Sequence, residues 1–135
     1  MCSENVQIVR RAIERWSDGD LEGFVATVDP EIEWRTSGIY PGIDPVYHGH
    51  DGFRKFWHDF HEMWETLSME MGEVIAEGDR VAFSFHFDAT GRDGLRTGRY
   101  QASVGTVRNG LLYRIQNYAT WDDALAALEG PQHGS

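Results

Sequence analysis

Six large apolar side chains, Phe53, Phe56, Trp57, Phe60, Trp64 and Leu67, recur at steps of three and four. They follow Asp51, a residue suited to capping a helix. A helix with such a stripe must lie against a broad apolar surface. The second half of the chain can supply one. Ser68–Glu77 predicts a strand, broken by Gly78-Asp79, and Val81–Asp88 alternates strictly, with Val81, Phe83, Phe85 and Phe87 on one face. Gly91-Arg92-Asp93-Gly94 turns the chain. Arg96–Arg108 reads as a long strand, Asn109-Gly110 as a tight hairpin turn, and Leu111–Thr120 as the returning strand.

The first half is helical. Val6, Val9, Ile13 and Trp16 mark an amphipathic helix from about Ser3 to Ser17, broken by Asp18-Gly19-Asp20. Leu21, Phe24, Val25 and Val28 mark a short second helix that Asp29-Pro30 ends. Glu31–Thr36 alternates as a strand. Residues 37–49, rich in Gly and Pro and carrying Tyr40 and Tyr47, read as a loop at the mouth of a cavity. Asp122 caps a last short helix carrying Leu125 and Leu128. Helices first and an antiparallel sheet afterwards define an α+β fold. A curved, mostly antiparallel sheet wrapped around a long helix leaves a cone whose interior is the natural ligand site. The reading is one domain over residues 1–130, with 131–135 as a disordered tail.

Charge narrows the function. Twelve basic against 22 acidic residues give a net charge of −10. Such a surface repels phosphate backbones and anionic lipids, so neither nucleic acid nor membrane is an expected partner. Cys2 is the single cysteine, which excludes an intrachain disulfide and a cysteine-based zinc site. Without a secretory signal or an apolar run of membrane-spanning length, a cytoplasmic protein is expected.

Several short motifs are similar to those of a known family. They are Ser17-Asp18-Gly19-Asp20-Leu21 and Val28-Asp29-Pro30-Glu31-Ile32-Glu33-Trp34 in the first third of the chain. Tyr47-His48-Gly49-His50-Asp51-Gly52, Gly78-Asp79-Arg80-Val81 and Arg108-Asn109-Gly110 follow. In this order and spacing, over about Val6 to Leu128, the chain resembles the SnoaL-like branch of the nuclear transport factor 2-like superfamily. That superfamily hosts isomerases, cyclases, dehydratases, epoxide hydrolases and pure binding modules on one cone. The resemblance implies that the general base of steroid-isomerase-like members falls on Trp34, their oxyanion-hole tyrosine near Ala12 and their protonated acid near Val104. The Arg and Asp of limonene-epoxide-hydrolase-like members fall on Phe85 and Phe87, and their water-activating Asp on Asn117. No carboxylate–histidine pair matches that of the SnoaL-like cyclases. The same comparison implies an inward face made of Trp34, Thr36, Phe83, Phe85, Phe87, Ala102, Val104, Ile115 and Asn117. Ser84, His86, Asp88, Gln101, Ser103, Arg114, Gln116 and Tyr118 then face outward, on the side through which the family commonly forms homodimers. A register one residue off turns His86 and Asp88 into the cavity.

The candidate catalytic residues are therefore Asn117, His86 and Asp88. His86 and Asp88 stand at i and i+2 on one strand face, as a general base and its orienter would. The simpler reading is an interfacial histidine hydrogen-bonded across a dimer. Asn117 can orient a water or a carbonyl, or it can satisfy the core by bonding Trp34 or Thr36. The candidate pocket adds Trp16, Tyr40, Phe56, Phe60, Trp64 and Tyr100 to the inward face. His58, His61 and Glu62 have a helical spacing that can hold a metal, but their charged neighbours describe a solvated face, so neither metal nor cofactor is expected. The first functional reading is a cofactor-independent isomerase, cyclase or hydrolase acting on an apolar, polyketide- or terpenoid-like ligand. The others are a small-molecule-binding module without catalysis and a dimeric interaction domain. Catalysis requires a titratable group in the cavity; binding requires a void of about 300 Å³ or more.

Overall fold

The structure, a computed structural model, describes residues 2–36, 46–62 and 64–129. Helix α1 (Cys2–Ser17) buries Val9, Ala12 and Trp16 on one face. Gly19 ends it with φ +73°, a conformation that costs a side-chain-bearing residue strain, and its N–H donates back to the Trp16 carbonyl at 3.0 Å. Asp20 then caps α2 (Leu21–Val25) by accepting from the Gly23 N–H at 2.9 Å.

Six strands form one sheet in the order β2-β1-β6-β5-β4-β3. They are β1 (Val28–Arg35), β2 (Val46–His48), β3 (Trp64–Glu77), β4 (Arg80–Gly91), β5 (Arg96–Arg108) and β6 (Leu111–Tyr118). All neighbours are antiparallel except β1 and β6, which run parallel. Asn109 and Gly110, at φ 54° and 78°, make the β5–β6 turn, as their sequence requires. Helix α3 (Gly49–Glu62) leaves one edge strand, β2, and enters the other, β3. It therefore crosses the sheet from edge to edge, with Phe53, Phe56, Trp57 and Phe60 buried. Helix α4 (Trp121–Glu129) covers the opposite face, setting Ala124 and Leu128 on Ala82, Ala102 and Val104. Its first turn is capped by Thr120, whose hydroxyl accepts from the Asp123 N–H at 3.1 Å, and not by Asp122.

Three expectations need correction. The aromatic stripe of α3 does not run to Leu67: the helix ends at Glu62, and Trp64 and Leu67 lie in β3. Pairing with β4 along the whole of β3 outweighs a helical period that Trp and Thr support poorly. Residues 46–48 form a strand rather than loop, and β1 begins at Val28, before Pro30. The face of β5 is reversed. Directly paired residues share a face. Phe83 stands opposite Ser103 and Phe85 opposite Gln101, so Gln101 and Ser103 look inward. Ala102 and Val104 look outward and are buried by α4. Among the described residues no helix is long and apolar enough to cross a membrane.

Candidate functional site

Trp16 is the centre of the interior. Its ring lies 4.8 Å from Trp57, 5.8 Å from Phe56, 5.9 Å from both Trp34 and Phe60, and 5.6 Å from Phe24, centroid to centroid. α1 supplies Trp16, α3 supplies Phe56 and Phe60, and the inward face of β4 supplies Phe83, Phe85 and Phe87. Between these groups a cavity of about 40 Å³ remains, lined also by Val9, Ala12, Ile13, Phe24, Trp34, Met69, Ser103, Leu112, Ile115 and Asn117. One buried water needs roughly 10–15 Å³ of such space, so the void holds about three. It is far below the roughly 300 Å³ of a ligand-sized pocket. None of its described lining residues is ionisable.

Three adjacent strands place the polar part of the wall. The Trp34 indole N–H on β1 donates to Asn117 Oδ1 on β6 at 2.6 Å. Asn117 Nδ2 donates to Ser103 Oγ on β5 at 3.1 Å. An indole can only donate, so Trp34 sets which end of the Asn117 amide faces it. All three residues are buried, with Asn117 at 3% exposure. This is the core-satisfying arrangement, and an amide at this position cannot take up a proton as a carboxylate would.

The candidate residues divide. Trp16, Trp34, Phe56, Phe60, Phe83, Phe85, Phe87, Ile115 and Asn117 stand on the cavity wall. Thr36 is fully buried but does not line the cavity. Trp64 packs on Phe60 and Phe87 without lining the void, because it opens strand β3 instead of extending α3. Tyr40 lies outside the described residues. Tyr100 is 77% exposed on the outer face, and Ala102 and Val104 lie under α4, so none of these three reaches the cavity. His86 and Asp88 are also on the outer face, since strand alternation turns them opposite to Phe85 and Phe87. Their side chains come within 3.7 Å of each other, and His86 rests on the Tyr100 ring at 4.4 Å. They form a surface cluster, not a group in the cavity. The α1 stripe carried a signal for Val9 and Ile13; Ser103 and Met69 carried none, because their faces depend on strand pairing.

The His61 ring is centred 5.6 Å from Trp16 and 4.3 Å from Trp57. Its Nδ1 meets the Trp57 carbonyl at 2.9 Å. A carbonyl only accepts, so Nδ1 carries the proton and Nε2 keeps its lone pair in the neutral ring. Burial lowers the His61 pKa; the bond to Trp57 opposes that shift and the charge of His58 adds to it. Two residues before His61 on α3, Asp59 accepts the hydroxyl of buried Tyr47 at 2.9 Å and the Lys55 ammonium at 3.0 Å. Hydrogen bonds from Lys55 and Tyr47 hold the Asp59 carboxyl below its ordinary range against partial desolvation. No group of three His, Cys, Asp or Glu side chains that could hold a metal ion occurs among the described residues.

A bent sheet closed by a helix that crosses it, with a small apolar void between them, defines the class of cone-shaped α+β proteins. The model of the SnoaL-like domain family matches residues 9–115, and the chain belongs to that family. Solved structures agree with the fold. TerC, co-crystallized with polyporic acid, is 23% identical, with 93% of this chain and 97% of that one covered and a TM-score of 0.79. An NTF2-like protein of unknown function from Burkholderia pseudomallei is 21% identical, with 94% and 98% covered and a TM-score of 0.79. A cystatin-like-fold protein of unknown function from Xanthomonas campestris is 17% identical, with 89% and 95% covered and a TM-score of 0.76. No curated protein matched the sequence.

Proposed function

We propose that this chain binds a small, largely apolar molecule inside the cone without acting on it chemically. The observation that carries this reading is an interior void whose described lining is aromatic and aliphatic apart from Ser103 and Asn117 and holds no ionisable group. Acid–base catalysis needs such a group within reach of the substrate. The SnoaL-like family membership supports a small-molecule role, and among similar folds TerC was co-crystallized with polyporic acid. A void of about 40 Å³ admits only part of a polyketide- or terpenoid-like ligand, so entry requires the wall to yield. Met69, unbranched and with three rotatable bonds, is the wall residue best suited to move. Native mass spectrometry of the protein purified from its own host tests the reading. A retained small molecule supports it. No retained mass, together with no thermal shift across a panel of apolar compounds, overturns it.

A second reading is favoured by His61. A half-buried imidazole held neutral, with its tautomer set by Trp57 and its ring against Trp16, is a suitable general base for a ligand that displaces Trp16. Deuterium exchange at the acidic C–H of a bound ketone, fast in wild type and lost in His61→Gln, supports catalysis; equal exchange in both removes it. The open groove of about 490 Å³ between Tyr100, Ser84 and Trp121 suits a homodimer through the outer face. Light scattering then gives twice the 15.4 kDa of one chain. A monomer at micromolar concentration excludes that arrangement.

A further inference from the structure

Among the described residues four buried side-chain donors have no hydrogen-bond partner: Trp16 Nε1, Trp64 Nε1, Arg80 Nε and Arg114 Nε. Both arginines are engaged through other contacts. Arg80 donates through its terminal nitrogens to α4 carbonyls, and Arg114 lies 3.8 Å from Glu33. Of the four residues, only Trp16 lines the interior cavity. It is 5% exposed, so water outside the fold does not reach the N–H. The contrast with Trp34 is direct, because that indole N–H is answered by Asn117 at 2.6 Å. Buried donors are almost always paired, and an exception calls for an explanation beyond the described residues.

Two chemistries can answer a lone N–H carried by a residue of that wall. An ordered water needs two to four polar partners. The other polar side chains of the wall, Ser103 and Asn117, are bonded to each other and to Trp34, so such a water would find only the unused capacity of these two groups in an otherwise apolar wall. An acceptor oxygen on an apolar body needs one donor only. It must also be neutral: among the described lining residues there is no cation, and a carboxylate would be buried without a counter-charge. We infer that Trp16 Nε1 is the recognition donor for the carbonyl oxygen of a small, uncharged ligand whose hydrocarbon part lies among Phe56, Phe60 and Phe85. This deepens the binding reading above and rests on it. It limits the ligand class to neutral carbonyl compounds: ketones, aldehydes, lactones or quinones, and not carboxylic acids.

The test uses two isosteric probes, cyclopentanone and methylenecyclopentane, with wild type and Trp16→Phe. Affinities are measured by ligand-observed NMR, and the indole N–H resonances by ¹⁵N–¹H correlation. Trp16→Phe keeps an aromatic ring and removes the donor. The expected result is a loss of about tenfold in cyclopentanone affinity, the size of one net hydrogen bond. Methylenecyclopentane affinity changes less than threefold. In wild type, the ketone moves the Trp16 indole N–H resonance downfield and the alkene does not; this readout stands even if Trp16→Phe fails to fold. If both probes bind wild type but respond equally to the substitution, or the resonance stays in place, the inference falls while the binding reading survives. If neither probe binds wild type, both fall. Tight binding of cyclopentanecarboxylate overturns the neutral-ligand claim.

Discussion

Asn117→Ala removes the centre of the buried polar relay. It takes away the acceptor of the Trp34 N–H and the donor to Ser103, both buried. Each group left buried and unpaired costs about 1–3 kcal/mol. The Ser103 hydroxyl can rotate toward another acceptor, whereas the Trp34 indole is locked by stacking on Phe56 at 4.8 Å and on Trp16 at 5.9 Å. The truncation also enlarges an existing void, which adds a cavity cost. The expected total is about 2–4 kcal/mol. A chain of 135 residues unfolds with an entropy of about 0.28 kcal/mol per kelvin, so Tm falls by roughly 7–14 °C. Urea unfolding followed by tryptophan fluorescence measures the loss directly, and the double-mutant cycle with Trp34→Phe isolates the pair. A loss under about 0.5 kcal/mol, or no coupling between the two sites, refutes the view that this relay holds β1, β5 and β6 in register.

Three further outcomes follow from other contacts. Burial lowers the His61 pKa, so below its ordinary value of 6.5 the unfolded chain binds a proton that the folded chain resists. Stability therefore rises with pH up to about 7 and then levels, and His61→Gln flattens that slope in denaturation curves; an unchanged slope contradicts it. Arg80 donates to the Ala127 and Leu128 carbonyls at 3.1 and 2.7 Å, pinning the C-terminal turn of α4. Arg80→Met should cost about 2–3 kcal/mol and open residues 121–129 to limited proteolysis before global unfolding. The double substitution His86→Ala, Asp88→Ala removes a half-buried His and an exposed Asp on the far face of the sheet. Binding of an apolar probe to the interior should stay within about twofold, since exposed ion pairs contribute little and neither side chain touches the cavity.

Much of the cone is legible because its signals are local. The spacing of Val9, Ile13 and Trp16 specifies α1, the alternation of Val81–Phe87 specifies the inner face of β4, and Asn109-Gly110 specifies its own turn. The motifs at the junctions carry the family. Two features depend on partners distant in the chain. The end of α3 is decided by β4, which draws Trp64 and Leu67 into a strand although they continue a helical period. The face of β5 is decided by coverage on both sides. Ala102 and Val104 are apolar because α4 buries them, and Ser103, the polar member of that run, faces the interior where Asn117 meets it. In a strand buried on both faces, polarity no longer marks the inside.

The candidate site follows the same division. Sequence alone determined an acidic shell around an aromatic interior, with Asn117 as a rare polar group within it, because periods of two and 3.6 sort side chains before any packing is known. Only the tertiary structure decided that His86 and Asp88 lie outside and that the void shrinks to about 40 Å³. It also decided that the Trp16 N–H is left without an acceptor. Volume and hydrogen-bond satisfaction are properties of side chains from eight different elements meeting at one place, and no local pattern encodes them.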